Sequence, residues 1–253
     1  MKRVACEEYV QYIDIANSNQ CGRVYPLSVA EGIQSGDIFV SSADAGEVMF
    51  WTHCGFAYHS SNISDEFLEE IYAFMMDKNI PRRFLLMTDS EMVENYFKVK
   101  EDVVLERRYL FEYAVDSETI EMHMPDGFEL KEMDENLLAK ISGNIVPALF
   151  WSDMQEFLSK GKGYCAVHNE EVASWAFSAA VSSQEIDIGI ETNSKYQKRG
   201  LGMIVAQQMM KYAIEQGKKP VWACHYQNTA SAKLAEKLGF IKSGECIIIK
   251  RKM

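Results

Sequence analysis

The sequence turns on residues Ile186 to Gln216, IDIGIETNSKYQKRGLGMIVAQQMMKYAIEQ. Its first part, Ile186–Thr192, alternates as a strand does, which puts Asp187 and Glu191 on one face. Its last part carries Leu201, Ile204, Val205, Met209 and Tyr212 at helical spacing, and Gly217 follows as a stop. Between them lies Gln197-Lys198-Arg199-Gly200-Leu201-Gly202. Gly200 and Gly202 therefore fall at the first turn of the helix, where backbone N–H groups have no intrahelical partner and point outward. A glycine inside a helix costs about 1 kcal/mol against alanine, so two at one helix start suggest a reason. With no Cβ in the way, phosphate oxygens can reach the amides. The helix dipole favours negative charge there, and Lys198 and Arg199 add full positive charges. The pattern predicts a diphosphate site; the plainer alternative is a glycine-containing turn before an ordinary helix. It is not the G-x-G-x-x-G that follows the first strand of a parallel dinucleotide-binding unit, and it lacks the G-K-[ST] of a P-loop.

Working outward, Phe128–Lys131 reads as a strand, Asp134–Ser142 as a helix capped by Asp134, and Leu149–Ser159 as a second helix. Gly161 and Gly163 are expected to end that helix as residues that tolerate positive φ. Tyr164–His168, Val172–Val181 and Ile186–Thr192 form three strands in succession, and tight polar turns between them favour antiparallel pairing. Beyond the glycine pair come a strand at Val221–His225 and a helix capped by Asn228, with Ser231, Leu234, Ala235 and Leu238 as its stripe. Gly239 stops it, and Phe240–Ile241 and Glu245–Lys250 read as a closing strand pair around Ser243-Gly244.

Toward the N-terminus, Val115–Gly127 divides the chain into 1–115 and 116–253, with Asp116-Ser117-Glu118-Thr119 and Pro125-Asp126-Gly127 as turn signals. Before it, Asp37–Ser42 and Val48–Tyr58 read as two strands joined at Ala45-Gly46. Ser64 caps a helix with Asp65 and Glu66 in its first turn and Phe67, Leu68, Ile71, Tyr72 and Met75 along its face. Arg83–Thr88, Asp89–Phe97 and Val103–Val115 follow as strand, helix and strand. Helix, strand, helix and closing strand thus occur at 65–113 and again at 201–250, a weak repeat of architecture with almost no residue identity. The fold class is α/β (α+β), a mixed, mostly antiparallel sheet flanked by helices.

Composition narrows the function. The chain has 253 residues, 47% hydrophobic and 25% charged, a globular profile with room for one large domain or two ordinary ones. The start MKRVACEEYV meets Glu7 and Glu8 before any apolar stretch, unlike a secretory signal, and Ile145–Trp151 falls well short of the about 20 residues a bilayer needs. A cytoplasmic location with no membrane partner is the expectation. A net charge of −11 argues against nucleic acid, which needs a basic surface, and suits either solubility or attraction of a cationic amine. Six scattered cysteines without C-x-x-C and five histidines without ligand spacing read as free thiols and no metal site.

At Gln197, Gly200 and Gly202 the sequence resembles the GNAT superfamily, whose coenzyme A signature is [RQ]-x-x-G-x-[GA] between a strand and a helix. The next segment is similar too: strand Pro220–His225, Asn228, then Leu234-Ala235-Glu236-Lys237-Leu238-Gly239-Phe240. The resemblance covers the last half of the chain. The whole layout resembles the subgroup that includes the zwittermicin A resistance acetyltransferase, in which a degenerate GNAT-like half precedes the active GNAT-like domain. The Ser64-Asp65-Glu66-Phe67 helix start, with carboxylates and no glycine pair, would repel a diphosphate, so the first half should not bind coenzyme A.

The resemblance implies transfer of an acetyl group from acetyl-CoA, as co-substrate, to a primary amine of a small molecule by direct attack. It places the cofactor contacts at Ile190, Thr192, Gln197, Lys198, Arg199, Gly200, Leu201, Gly202 and Asn228, with backbone of Ile190–Thr192 pairing the pantetheine arm. Glu191, nearest the glycine motif, is the expected base through water; Asp187 and Glu191 are otherwise solvated strand carboxylates or partners of substrate charge. Many members carry tyrosine after the leucine of the second motif, where this chain has Ala235, so the usual thiolate protonator is missing. Tyr226 and His225 are its substitutes, or solvent acts, the thiolate having a reference pKa of about 8.5. Cys224 reads as an inert strand thiol, His225 equally as a packed residue, and Phe150 and Trp151 as core or as acceptor-pocket lining. A non-catalytic acyl-CoA sensor and a protein or peptide acetyltransferase are the alternative functions, and a homodimer is left open.

Overall fold

The structure is a computed structural model that describes residues 1–44, 46–114 and 123–252. Ala45 and Asp116-Ser117-Glu118-Thr119, on which turn expectations fell, lie outside the described residues, as does the 115/116 boundary. In chain order the elements are β1 (Lys2–Arg3), a 3-10 segment (Cys6–Tyr12), α1 (Ile13–Asn17), α2 (Val24–Ala30), β2 (Gly36–Val40), β3 (Val48–Thr52), β4 (Phe56–His59), α3 (Asp65–Met76), β5 (Leu85–Thr88), α4 (Glu91–Lys98) and β6 (Val103–Tyr113). Then come β7 (Glu129–Glu132), α5 (Glu135–Leu138), α6 (Pro147–Phe150), α7 (Met154–Lys160), β8 (Gly163–His168), β9 (Glu171–Val181), β10 (Glu185–Thr192), α8 (Leu201–Glu215), β11 (Lys219–His225), α9 (Thr229–Lys237) and β12 (Phe240–Arg251). Two compact units result: Met1–Leu110 with Ala223–Asn228 and Ser243–Met253, and Phe111–Trp222 with Thr229–Lys242.

In the first unit β1–β2–β3–β4 pair antiparallel in turn, β4 and β5 pair parallel, and β5 pairs antiparallel with β12. The second unit repeats the scheme: β7–β8–β9–β10 are antiparallel and β10 and β11 are parallel. Each parallel pair is joined through one helix, α3 or α8. The mixed, mostly antiparallel character of the sheet is as expected, and the succession shared by the two units gives the architectural repeat its substance.

Several elements form for the reasons read from sequence. Ser64 Oγ accepts the Phe67 amide and starts α3, whose face buries Phe67, Leu68, Ile71 and Met75. Each such side chain is worth roughly 1.5–3 kcal/mol when fully withdrawn from water. Asp134 caps α5, and Pro125-Asp126-Gly127 closes a turn through Phe128 N to Pro125 O, with Gly127 at φ +82. Other expectations need correction. Val48–Tyr58 is not one strand but the hairpin β3–β4, broken at Gly55 with φ +85. There Thr52 Oγ1 accepts the Phe56 amide at 3.1 Å and donates to its carbonyl at 2.9 Å.

Leu149–Ser159 is likewise two helices, α6 and α7. Trp151 between them is extended, held by its indole N–H donating to Ser178 O at 2.8 Å, and Asp153 recaps the chain by accepting from the Glu156 amide at 2.8 Å. Neither Gly161 nor Gly163 has positive φ; Gly161 is required by space, since a Cβ would lie 2.7 Å from the Phe157 ring. β12 is one continuous strand, and Gly244 lies extended against Leu110 instead of turning the chain. The helix α2, VYPLSVA, gave no sequence signal because it is buried on every side and so has no polar face to set a period.

None of the six cysteines is in a disulfide, and Cys6 alone is exposed. Among the described residues no helix is long and apolar enough to cross a membrane.

One buried group in the first unit ties stability to pH. His59 ends β4, buried, with Nδ1 2.8 Å from Ser60 O and Nε2 2.9 Å from Thr88 Oγ1 at the end of β5. Burial lowers its pKa below the ordinary 6.5, against the raising effect of the Ser60 carbonyl. The unfolded chain therefore takes up this proton first, so the His59 contribution is complete above about pH 6.5 and is lost as pH falls toward the folded value. Urea midpoints measured from pH 7.5 downward are expected to fall more steeply in the wild type than in His59→Gln; parallel curves would contradict this.

Candidate functional site

The site begins where β10 loses a neighbour. One edge of β10 pairs with β9 from Ile186↔Val181 to Thr192↔Ser174. On the other edge the parallel pairing covers Glu185, Ile186 and Asp187 and stops at Val221. From Ile188 to Thr192 that edge keeps its N–H and C=O groups without a strand partner among the described residues. The cause is local: the β9–β10 register shifts between Asp187 and Ile188, where the pairing with β11 ends, and a bulge adds twist.

The chain after β10 forms a cradle. Asn193 Oδ1 accepts the Lys195 amide at 3.1 Å and its carbonyl accepts the Tyr196 amide at 2.8 Å, giving a tight 3-10 turn. Buried Tyr196 donates its hydroxyl to Glu171 Oε2 at 2.5 Å, which Lys195 Nζ also meets at 2.8 Å. The Lys195 and Tyr196 hydrogen bonds hold the Glu171 carboxyl below its usual range. Gln197 Nε2 donates to Thr192 O at 3.3 Å, hooking the turn to the strand end.

Lys198 has φ +62 and Gly200 φ +82, with Arg199 between them not left-handed. Gly200 is the N-terminal boundary of α8 and no side chain caps it. Among the described residues, the amides of Lys198, Arg199, Gly200, Leu201 and Gly202 meet no protein acceptor. Nor do the exposed side chains of Lys198 and Arg199 meet a carboxylate there. Leu201 is buried, so it can offer a ligand only its amide. A Cβ on Gly202 would lie 3.1 Å from Thr192 Oγ1, which in turn shares a 2.7 Å hydrogen bond with Ser174 Oγ. The turn thus gathers outward amides, a helix N-terminus and two cations, the groups that suit an anion.

Glu191 lies on the β10 face shared with Asp187 and Gly189, opposite Trp175, Phe177 and Ala180 of β9. Its Oε2 accepts the amides of Asn144 and Ile145, both at 2.7 Å, and Trp175 Nε1 donates to Ile145 O at 2.7 Å. A Cβ on Gly143 would sit 2.5 Å from the same oxygen. Sequence reading missed this tie, since the partners are 46 and 47 residues apart and neither end carries a local signal. Asp187 is nearly inaccessible at 4% exposure.

His225, Tyr226 and Asn228 fall in the first unit, and the cradle in the second. His225 Nε2 is 3.5 Å from Glu106 Oε2, and its Nδ1 accepts the Gln227 amide at 3.2 Å. Tyr226 is 40% exposed and its hydroxyl accepts from Gln227 Nε2 at 2.8 Å. The Asn228 amide donates to His225 O at 2.8 Å. Cys224 and Ala235 are buried, and Phe150 is core, against Phe177 at 5.6 Å.

The corresponding place in the first unit is shut. β4 and β5 pair through Tyr58↔Met87, and the next residues, His59 and Thr88, are joined by the side-chain bond described above. At the start of α3, Glu47 Oε1 accepts the Ser64 amide, Ser64 Oγ takes the Phe67 amide, and Asp65 and Glu66 follow.

An open strand edge beside an uncapped glycine turn is the geometry this fold presents, and comparison with known proteins gives its family. The chain belongs to the GNAT acetyltransferase family, whose model matches residues 22–249. It is 29% identical over 163 residues to the uncharacterized N-acetyltransferase YdfB of Bacillus subtilis strain 168, a match covering 63% of this chain and 62% of that relative's length. In fold it is similar to a GCN5-related N-acetyltransferase-like protein from Streptococcus suis, with TM-score 0.73 and 21% identity over 98% of this chain and all of the other. A tandem GNAT protein from the clavulanic acid biosynthesis pathway, solved without AcCoA, matches at TM-score 0.63 and 10% identity over 98% and 97%.

Proposed function

We propose that the protein is an N-acetyltransferase that moves the acetyl group of acetyl-CoA to a primary amine of a small molecule. The observation that carries this is the run of unpartnered amides at 198–202 beside the unpaired edge of β10. The amides, with Lys198 and Arg199, would hold the diphosphate, and Ile190–Thr192 would pair the pantetheine arm as an added strand. Acetyl-CoA supplies an acetyl group already activated as a thioester. An N–H of the open β10 edge polarises the acetyl carbonyl. Glu191 accepts the proton of the incoming ammonium through water at Oε1, its Oε2 being engaged by Asn144 and Ile145. The nitrogen lone pair then forms the N–C bond, the nitrogen gives its second proton to solvent, the C–S bond breaks with its electrons on sulfur, and solvent protonates the thiolate. On this reading the second half, 116–253, carries the chemistry and the first half, 1–115, none. An amine-bearing antibiotic or metabolite is the acceptor to which the subgroup likeness points.

Thiol release from acetyl-CoA against a panel of amines tests the proposal. Release with at least one amine, together with a rise in Tm on adding acetyl-CoA, is the expected result. Absence of any Tm shift at millimolar donor would overturn it; silence across the panel with the shift intact would make the chain a binding module.

A further inference from the structure

The turn before the glycine motif rests on a support of its own. Asn169 and Glu170, both at positive φ, make the two-residue turn between β8 and β9 that sets Glu171 directly across from His168. His168 Nδ1 lies 2.6 Å from Gly127 O, and its ring packs on Phe128 at 4.8 Å. Tyr196 packs against both rings, edge-on to Phe128 at 5.7 Å and to His168 at 5.9 Å, and is only 4% exposed. Its ring is thereby held so that the hydroxyl meets Glu171 Oε2 at 2.5 Å.

Among the described residues, the hydrogen bonds that tie 194–200 to neighbouring strands end on the Thr192 carbonyl and on the Glu171 carboxylate. The first comes from the Gln197 amide group at 3.3 Å. The second, from Tyr196, is a charge-assisted O–H···O⁻ bond, roughly twice as strong as a neutral one. The Lys195 ammonium also meets this carboxylate, but both partners are exposed, so that ion pair adds little. The Tyr196 bond is therefore the tie that fixes where the turn stands. The amides of 198–202 begin two residues further on, and their position follows that of the turn.

We infer that Glu171 is a positioning residue for the donor: acting through Tyr196, it sets the spacing between the open β10 edge and the amides of 198–202. The inference rests on the reading of these two groups as the acetyl-CoA site and adds what aligns them. Diphosphate and pantetheine arm belong to one molecule, so it can use both groups fully only when they are held at one spacing. Without the Glu171 bond the turn spends part of its time displaced, and the apparent affinity falls with the fraction that stays competent. A bond to a charged group is worth roughly a factor of ten or more in that population.

The test titrates coenzyme A, and pantetheine, which lacks the diphosphate, calorimetrically into the full chain. Glu171→Ala is expected to weaken coenzyme A binding by roughly tenfold and to leave pantetheine unchanged. Because Glu171 is exposed, the substitution opens no cavity, and the unliganded Tm should stay near that of the wild type. Glu171→Gln, whose side-chain oxygen can still accept the Tyr196 hydroxyl, should recover most of the loss. Tyr196→Phe should match Glu171→Ala, and the double variant should be no weaker than either, as for two ends of one bond. Unchanged coenzyme A affinity in Glu171→Ala, or an equal loss with pantetheine, overturns the inference. A wild-type chain that does not bind coenzyme A would instead remove the reading beneath it, which separates the two failures.

Discussion

Gly202→Asp is expected to abolish the rise in Tm that acetyl-CoA gives the wild-type chain. At a hundred times its Kd a ligand that binds only the folded state adds about 2.7 kcal/mol. For a chain of this length each kcal/mol moves Tm by about 2–4 °C, so the wild-type shift should be roughly 5–10 °C. The variant opposes binding twice. Its carboxylate would stand among the amides of 198–202 and repel a diphosphate, and its Cβ would press within 3.1 Å of Thr192 Oγ1, pushing α8 away from the strand end. Differential scanning fluorimetry with and without donor gives both the shift and the unliganded Tm, so lost binding is distinguishable from lost folding. A full shift in a folded Gly202→Asp protein would mean the phosphates bind elsewhere.

Glu191→Gln is expected to lower kcat by roughly 10²- to 10⁴-fold, the usual worth of a positioned base, while leaving Tm within about 1 °C. The second half of that statement comes from geometry. The glutamine carbonyl can still accept the Asn144 and Ile145 amides, so 143–145 stays in place. Glu191→Ala removes the acceptor altogether and leaves two amides to find water, at about 1–3 kcal/mol each where they are buried, so it should lower both kcat and Tm. Should the glutamine variant keep wild-type turnover and pH dependence, Glu191 serves only as a brace for the loop.

The parts of this molecule that a reader of the sequence could find are those built from neighbours along the chain. Ser64 and Asp134 announce helix starts because a cap is a contact over three residues, and the Gly200/Gly202 pair does so as a local motif. The β8–β9–β10 meander announces itself because turns and alternation are local. What stayed hidden depends on residues far apart. The Glu191 tie to Asn144 and Ile145 spans 46 and 47 positions. The end of α6 depends on the Trp151 indole reaching Ser178. The helix α2 was hidden for the opposite reason: complete burial erased the polar face that would have marked its period. The hairpin at Gly55 lay inside an apolar run that reads as one strand until the Thr52 hydroxyl is seen closing the turn. In the cradle, the glycines were legible as a motif; that Gly202 lacks a Cβ to make room for Thr192 was not.

Lys198 adopts a backbone shape that side-chain-bearing residues avoid, with φ +62. For an L-residue that shape costs roughly 1–2 kcal/mol, and glycine would remove the penalty. Retaining a lysine here sets resilience against ligand capture: Lys198→Gly should melt a few degrees higher without donor, yet hold the donor less tightly at low salt. A thermostabilising screen of this chain blind to turnover would therefore drift toward proteins that endure heat and acetylate poorly.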